Sequence, residues 1–476
     1  MKTIKLLVLT STLLLTLTSC FEDMDDNPAS SIELNDFVWR GLNAYYLYKD
    51  EVPDLANNRF NSDVEYNLYL NGFYSPENLF ESLIYQPQSI DRFSWITSNY
   101  NTLEQQLNGT TLNNGMEFGL FRFNDTDTNV YGYVRYVLPG TSAEANGIQR
   151  GDIFNAINGS QLTVNNWSLL LSANSYSVNL ATYNDNNTPE TSDDTVLPTN
   201  QSIALAKVPY TENPIFKTDI FEVAGKNVGY LMYNGFTAPY DTQLNSVFGN
   251  FLANNVQELV LDFRYNPGGS VNSAILLSSM IANNTGEIFS TEEWNSDIQA
   301  LLEPESLINR FTNNDDGTPL NILNLNRVYI LTTRGSASAS ELVINCLRPY
   351  LDVVQIGTTT TGKFQASITL YDAPDFRKQN VKQTHNYAMQ PLVLKSLNSL
   401  GVTDYSQGLT PDILQAENYN NLGVLGDINE PLLATALQHI EDSSRSTNNA
   451  TNIEPLNFVG DSNDLTPFSK DMHINR

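Results

Sequence analysis

The chain is poor in cysteine and short of positive charge. Only two of its 476 residues are cysteines. The sequence contains 25 lysine and arginine residues and 53 aspartate and glutamate residues, which gives a formal net charge of −28. A surface this acidic makes nucleic acid and anionic lipid surfaces poor partners. Two cysteines cannot form a disulfide framework. Cys346 lies on the apolar face of a predicted helix and is expected to be a core residue.

Long apolar runs are missing as well. The apolar stretch 6–17 is too short for a stable membrane-spanning helix, and it follows a positively charged start, MKTIK. The stretch ends in LTSC at 17–20, which resembles the signal of a bacterial lipoprotein, whose cysteine becomes the lipid-carrying first residue. The alternative is an ordinary cleaved signal with an incidental cysteine.

The lipoprotein resemblance implies a signal peptide over 1–19, a lipid on Cys20 and a tether over 20–33. A multiply acylated Cys20 would hold the protein on a membrane, because each buried methylene contributes about 0.8 kcal/mol. We therefore expect a cell-envelope protein anchored in the outer membrane and facing the periplasm or the cell surface. Cys346 would then have no partner for an intramolecular disulfide.

The rest of the composition is that of ordinary globular protein, with 41% hydrophobic and 11% aromatic residues. The length leaves room for about two to four domains with cores of their own. Over 34–107 the apolar residues, among them Phe37, Leu42 and Tyr45, recur at a spacing of three to four positions. This spacing predicts a small helical bundle at the N-terminus.

From 108 to 208 the pattern changes to short alternating strands separated by glycine turns. The runs 134–148 and 151–159 resemble a PDZ domain of the kind associated with proteases. The resemblance implies a peptide-binding loop made of Glu117, Phe118, Gly119 and Leu120. Its backbone N–H groups would hold the terminal carboxylate of a peptide that adds as a strand to the sheet edge. The alternative is a PDZ fold used only for packing or gating.

Polar and acidic residues interrupt this region at 184–195. Oxygen ligands are plentiful there, but their spacing fits no calcium-binding loop. The stretch predicts a solvated hairpin tip, and we expect no metal site.

From 209 to 440 strands and helices alternate, with predicted strands at 226–232 and 258–263 and predicted helices at 240–254 and 270–282. This order predicts an α/β core with a mainly parallel sheet covered by helices. Residues 441–476 are predicted to be a polar C-terminal tail. The fold class expected for the whole chain is therefore multidomain α/β.

The residues that carry chemistry are concentrated between Arg334 and Lys363. A predicted strand at 327–333 is followed by a serine-rich turn and a predicted helix, so Ser338 or a neighbouring serine lies at a helix N-terminus. A serine hydroxyl needs a base to become a nucleophile. Lysine can be that base only when burial lowers its pKa by several units from about 10.4. No acidic residue lies within five positions of Lys363, which is compatible with such a shift.

Two other kinds of site are disfavoured. The chain has no G-x-S-x-G elbow, and its histidines lie in a loop or strand, in a terminal helix and in the tail, so a Ser-His-Asp triad is not expected; they are His385, His439 and His473. The run GTTTTGK at 357–363 matches a phosphate-binding loop, but Phe364 stands where the Mg²⁺-binding hydroxyl belongs. A strand-like pattern, not a helix, follows it.

An acyl-transfer site also needs donors for the oxyanion. The N-terminus of the helix at Ser338 and Ala339 provides backbone N–H groups and a favourable dipole. The run DFRYNPGG at 262–269 places a glycine turn between a predicted strand and a predicted helix. Taken alone, the paired glycines would indicate only a tight turn.

Together, DFRYNPGG at 262–269, GSASASE at 335–341, GK at 362–363 and GLTPDI at 408–413 resemble the S41 peptidases, the C-terminal processing or tail-specific proteases. The resemblance covers the chain from the PDZ-like region to about residue 440. It implies an α/β protease core of the ClpP/crotonase-like kind and a serine endopeptidase that needs no cofactor.

The resemblance also assigns roles to individual residues. The spacing of 363 − 338 = 25 residues selects Ser338 over Ser336 and Ser340 as the nucleophile, and Lys363 takes the place of the general base. Gly268 or Gly269 together with Ala339 would supply the oxyanion donors. Supporting polar positions, with either a structural or a catalytic role, are Asp262, Arg264 and Glu341.

One position departs from the family pattern. Many members have a glutamine four residues after the lysine that orients it, whereas this chain has Ser367 there and its nearest glutamine is Gln365. The third member of the catalytic group is therefore left open between these two residues.

The sequence predicts a lipid-anchored endopeptidase that cleaves polypeptides and recognises their C-terminal tails through the PDZ-like domain. The alternative is a peptide-binding lipoprotein whose protease core is silent. The oligomeric state is not predicted.

Overall fold

A computed structural model describes residues 29–123, 127–186, 188, 193–419, 421–442, 457–466 and 469–474. The predicted signal peptide and Cys20 lie outside the described residues. Among the described residues, no helix combines the length and the apolar character that crossing a bilayer requires.

The N-terminal region is helical, as predicted. Its helices are α1 (Ser31–Tyr45), α2 (Asp63–Leu70), α3 (Pro76–Leu83) and α4 (Tyr100–Leu107). Helix α1 starts at a capping box between Ser30 and Glu33, three residues before the predicted start of the helical region. The second half of the predicted 34–107 bundle also contains strand β1 (Trp95–Thr97), which pairs with the strand Ala388–Gln390 of the core. This pairing outweighs the local helical pattern.

The next region is built on a mostly antiparallel sheet. Its strands and helices are β2 (Thr110–Asn113), β3 (Met116–Arg122), β4 (Val130–Val137), α5 (Ser142–Ala145), β5 (Ile153–Ile157), β6 (Ser160–Gln161), α6 (Trp167–Ser172), β7 (Ser175–Asn184), β8 (Thr195–Ala206) and β9 (Val208–Thr211). The strand order is β3-β4-β5-β7-β8, with β6 on β5, while β2 pairs β9 separately. Strands β7 and β8 flank the polar stretch as the arms of a hairpin.

The core contains the expected alternation of strands and helices. Its elements are β10 (Ile215–Val223), β11 (Lys226–Tyr233), α7 (Asp241–Ala253), β12 (Val256–Asp262), β13 (Gly269–Ser270), α8 (Val271–Ile281), β14 (Ile288–Trp294), α9 (Ser296–Leu301), β15 (Ile308–Arg310), β16 (Asn314–Asp315), β17 (Thr318–Pro319), β18 (Arg327–Thr332), α10 (Ala339–Leu347), β19 (Asp352–Gly357), β20 (Gln365–Ser367), β21 (Leu370–Tyr371), β22 (Ala388–Gln390), β23 (Leu392–Asn398), β24 (Ile413–Leu414) and α11 (Pro431–Asp442).

The main core sheet has the order β10-β11-β12-β18-β19-β24 and is parallel from β11 to β24, as predicted. Asp262 at the end of β12 pairs with Leu331 near the end of β18. The loops that leave these two strands therefore meet at one edge of the sheet. They are the loops that carry the paired glycines and Ser338.

Residues 441–476, predicted to be a polar tail, differ most from expectation because their described part contains two strands that pair with other elements. These strands are β25 (Phe458–Asp461) and β26 (Met472–His473). Strand β25 is added to the outer edge of β3, and β26 lies between β13 and β20 in a second core sheet of order β13-β26-β20-β23-β14-β15. Strands this short are stable only through their partners, so local sequence pattern does not indicate them.

A buried charge cluster holds the end of β12 to the rest of the core. The Arg264 guanidinium is fully buried and contacts three carboxylates: it forks onto Glu430 at 2.6 and 2.9 Å, lies 2.8 Å from Asp262 and lies 3.4 Å from Glu417. Arg150, from the loop before β5, also bonds Glu417 at 3.1 Å. Asp262 and Arg264 thus link the core strand to two distant segments and to the neighbouring antiparallel sheet.

We expect Arg264→Met to destabilise the protein by about 3–5 kcal/mol, because it leaves buried carboxylates without their cation. Chemical denaturation followed by tryptophan fluorescence measures this loss. The control is Arg310→Met, which removes a pair with the exposed Glu305 and should cost about 1 kcal/mol or less. Equal losses for the two variants would contradict the role given to the cluster.

Candidate active site

Ser338 lies between β18 and α10 in a strained backbone conformation. Its φ is 64° and ψ is −115°, a combination that costs a non-glycine residue of order 1–3 kcal/mol. The side chain is fully buried, and its hydroxyl makes no hydrogen bond among the described residues. The fold therefore holds one unpartnered hydroxyl at the N-terminus of a helix.

The neighbouring serines have different surroundings. Ser336 Oγ donates to the carbonyl oxygen of Phe263 at 2.7 Å, and Ser340 Oγ donates to that of Asn266 at 3.1 Å. These two hydroxyls fasten the serine turn to the glycine loop. Of the three serines, Ser338 has the hydroxyl that is available for chemistry.

Lys363 is buried on the loop between β19 and β20. Its Nζ donates to the carbonyl oxygen of Lys470 at 2.8 Å and lies 5.1 Å from the centre of the Phe93 ring. Burial lowers the pKa of Lys363 to about 8, against the opposing effect of the Asp471, Asp91 and Glu341 carboxylates. A substantial neutral fraction of this amine is therefore present just above neutral pH.

Glu341 connects the two loops. Its fully buried carboxylate accepts the backbone N–H of Ser338 at 2.7 Å, of Gly362 at 2.7 Å and of Lys363 at 2.8 Å, and also a hydrogen bond from the hydroxyl of Thr360. Burial raises the pKa of Glu341 to about 7, although these hydrogen bonds oppose the shift. The residue therefore acts through backbone groups and positions Ser338 and Lys363 relative to each other.

The glycine loop approaches Ser338 closely. A β-carbon at Gly268 would lie 2.5 Å from Ser338 Cβ and 3.1 Å from the backbone nitrogen of Ala339, and the φ of Gly268 is 118°. Only glycine fits there. The N–H of Gly268 is used by the Asn266 side chain at 2.9 Å, whereas the N–H of Gly269 donates to the carbonyl oxygen of Asp471 at 2.7 Å.

The same geometry brings a peptide carbonyl to the serine. The same hypothetical β-carbon at Gly268 would lie 2.2 Å from the carbonyl oxygen of Asp471. This oxygen, the Ser338 side chain and the backbone nitrogen of Ala339 are therefore close to one another. The N–H of Ala339 opens helix α10, where backbone donors have no acceptor within the helix. Of the two predicted glycine donors, Gly269 is the one whose N–H bonds this carbonyl oxygen.

The two candidates for the third catalytic residue do not reach Lys363. Gln365 Nε2 donates to the Tyr48 hydroxyl at 2.8 Å, while Ser367 is paired in β20 with β23 and β26. Neither side chain hydrogen-bonds Lys363 Nζ in the described part of the chain. The neighbours of Nζ are instead Phe93 and the segment at Lys470, which no motif in the sequence indicates.

The predicted peptide-carboxylate loop is a strand in the structure. Glu117, Phe118, Gly119 and Leu120 all lie within β3 and pair with β4. The Phe118 N–H donates to Ser462 Oγ at 3.2 Å, and Gly119 and Leu120 lie opposite Asp461 and Gly460 of β25. The expectation of a loop at these positions was therefore wrong.

A cavity of about 190 Å³ opens between β3 and the glycine loop. Glu117, Glu212, Phe236 and Gly269 are among the residues that line it. Burial, reinforced by the nearby Glu117, raises the pKa of Glu212 to about 8. No cluster of potential metal ligands occurs within the described ranges.

Two family models match the chain. Residues 227–413 match Peptidase family S41, and residues 33–95 match the Peptidase S41 N-terminal domain. The carboxyl-terminal-processing protease of Picosynechococcus is 28% identical over 246 residues, which cover 50% of this chain and 52% of the relative. The carboxy-terminal processing protease CtpA of Bacillus subtilis is 24% identical over 143 residues, or 30% of this chain and 27% of the relative. The chain thus spans about half the length of the former and about a quarter of the latter.

The fold has a similar solved structure. It is a crystal structure of a Bacteroides fragilis protein described as an S41 protease. The match has a TM-score of 0.64 and 27% sequence identity, and it covers 86% of this chain and 98% of the Bacteroides fragilis chain. The fold and these matches define the class of the protein, an α/β protein that carries an S41 N-terminal domain and an S41 peptidase domain. The chain belongs to peptidase family S41.

We expect Glu341→Gln to slow the reaction of Ser338 with a fluorophosphonate probe by about 100-fold, because the amide group turns an N–H₂ toward backbone donors and displaces both loops. Labelling rates measured by intact mass, with circular dichroism as a check on folding, test this. Glu258→Gln is the matched control, since Glu258 is a buried glutamate at the opposite end of β12, paired with Lys226 and Arg327. Equal labelling of the two variants would contradict the positioning role.

Proposed function

We propose that the chain is a serine endopeptidase that cleaves polypeptides with Ser338 as nucleophile and Lys363 as general base. The observation that carries the proposal is the unpartnered, buried hydroxyl of Ser338 beside a peptide carbonyl that the N–H of Gly269 holds. The amine of Lys363, whose pKa burial lowers to about 8, supports the assignment of the base, and the Glu341 carboxylate holds the backbone of both residues.

The reaction takes place in two halves. Neutral Lys363 accepts the proton of Ser338 Oγ while the oxygen bonds to the carbonyl carbon, and the N–H groups of Gly269 and Ala339 stabilise the negative oxygen. The C–N bond then breaks, the leaving nitrogen takes the proton from the lysine, and an acyl-enzyme remains. A water molecule then gives a proton to Lys363 and attacks the carbonyl carbon of the ester. The bond from that carbon to Ser338 Oγ breaks, and Lys363 returns the proton to the serine oxygen.

The antiparallel domain is proposed to be PDZ-like and to bind polypeptides by strand addition. In support, the outer edge of β3 accepts a strand in antiparallel register. The partners proposed are polypeptides with accessible C-terminal tails. The sequence pattern at 17–20 further supports a lipid on Cys20 and a place in the cell envelope.

We expect Ser338→Ala to lower the cleavage of an unfolded protein by at least about 10³-fold while the fold is retained, since no other group replaces the nucleophile. Fluorescent fragments released from a labelled, denatured substrate measure this activity. The control is Ser278→Ala in α8, another buried serine whose hydroxyl makes no hydrogen bond with the described residues, and it should keep full activity. If wild-type protein shows no Ser338-dependent cleavage, the alternative of a silent peptide-binding lipoprotein takes over.

The lowered pKa of Lys363 leads us to expect a pH-dependent activity. Because the base acts only when neutral, kcat/KM should rise about tenfold between pH 7 and pH 9, through a pKa of about 8. Glu341 has a pKa of about 7, so its ionisation could also change kcat/KM in this pH range. If Lys363 causes the rise, the Glu341→Gln variant should show the same rise in kcat/KM with pH, although its rates should be lower at every pH. A flat profile between pH 6 and pH 9 would argue against Lys363 as the base.

A further inference from the structure

Strands β25 and β26 contact both the outer edge of β3 and the glycine loop beside Ser338. Strand β25 pairs antiparallel with β3, with Phe458 opposite Phe121 and Gly460 opposite Leu120. Strand β26 then runs parallel to β13 at Gly269 and to β20 at Ser367. The described parts of the segment 457–474, hereafter the terminal segment, therefore contact both the sheet edge and the glycine loop.

At the sheet edge, side chains fasten the terminal segment specifically. Arg135 of β4 bonds the Asp461 carboxylate at 2.9 Å, and their side chains are 5% and 1% exposed. The Ser462 hydroxyl bonds the Glu117 carboxylate and accepts the Phe118 N–H. A buried pair of this kind requires an acidic residue at one position of the bound strand.

The strand position before the acid is equally restricted. A β-carbon at Gly460 would lie 2.8 Å from the Trp167 ring. Any larger side chain would have to displace the indole or the strand. The edge of β3 thus selects an extended peptide with a glycine followed by an acidic residue.

In the cleft, the terminal segment uses the groups assigned to catalysis. Lys363 Nζ donates to the carbonyl oxygen of Lys470, and the Gly269 N–H donates to that of Asp471. The Ile474 N–H donates to the carbonyl oxygen of Ser367 at 3.1 Å. The Met472 side chain is fully buried in the main core cluster. Another polypeptide cannot use these donors while the segment is in place.

We propose that the terminal segment is an internal competitive ligand of this protease, and that an extended polypeptide substrate binds only when it displaces residues 457–474. The inference rests on the proposed function, since it takes the cleft at Ser338 as the site of substrate cleavage. The displacing partner is a polypeptide strand that offers a glycine against Trp167 and an acid to Arg135.

The first test is a charge reversal in the full-length chain. Asp461→Lys places two cations in one buried site and should release the segment, so KM for an unfolded protein should fall by about tenfold or more with kcat unchanged, because a site open in one tenth of the molecules binds with one tenth of its affinity. The matched control is Glu305→Lys, the same charge change at an exposed residue, and its KM should not change.

The second test adds the segment back. A synthetic peptide of residues 457–474 should inhibit Asp461→Lys competitively and raise its KM, whereas a peptide that carries the same Asp461→Lys change should not. Amide hydrogen exchange of residues 457–474 reports release directly. If exchange shows release while KM stays unchanged and the peptide does not inhibit, the inference fails and the proposed function stands.

A third measurement separates the inference from the proposed function and needs no destabilising change in the segment. In full-length Ser338→Ala, which cannot turn over, a saturating unfolded polypeptide should increase amide exchange across 457–474. Unchanged exchange would overturn the inference. If instead exchange increases but wild type neither cleaves the polypeptide nor reacts with a fluorophosphonate, the proposed function fails while the displacement remains.

Discussion

The arrangement of the site depends on one buried carboxylate that is satisfied by backbone groups. Glu341 accepts N–H groups from the turn of Ser338 and from the loop of Lys363, so the strained serine and the buried lysine share one anchor. Removing the anchor would leave several buried donors unsatisfied. This explains how a non-glycine residue keeps an unfavourable conformation at the start of α10, where its hydroxyl has no partner in the described part of the chain.

The charge cluster around Arg264 serves the neighbouring loop in a similar way. It holds the end of β12, from which the glycine loop starts, and connects it through Arg150 to the antiparallel domain. The cluster therefore links that domain directly to the strand end that precedes the glycine loop. The terminal segment bridges the same two regions, since it bonds Arg135 in one and Gly269 in the other.

Local patterns in the sequence predicted much of the core and of the site. Short windows of sequence contain the alternation of strands and helices, the serine turn and the absence of acidic residues within five positions of Lys363. These features could therefore be identified from the sequence. The partners of Arg264 could not, because Glu417 and Glu430 lie more than a hundred residues away and only the fold brings them together. Phe93 near Lys363 and the two terminal strands depend on distant contacts in the same way, and β3 replaced the expected loop because its residues pair on both sides.

The most direct test of Ser338 as the nucleophile is to trap the acyl-enzyme. An unfolded polypeptide or a peptide ester, mixed with the wild-type protein and quenched in acid, should leave an acyl group that peptide mapping by mass spectrometry locates on Ser338. The adduct should be absent in Lys363→Ala, which lacks the base. An acyl group on another residue, or cleavage without any adduct on Ser338, would contradict the assignment of Ser338 as the nucleophile.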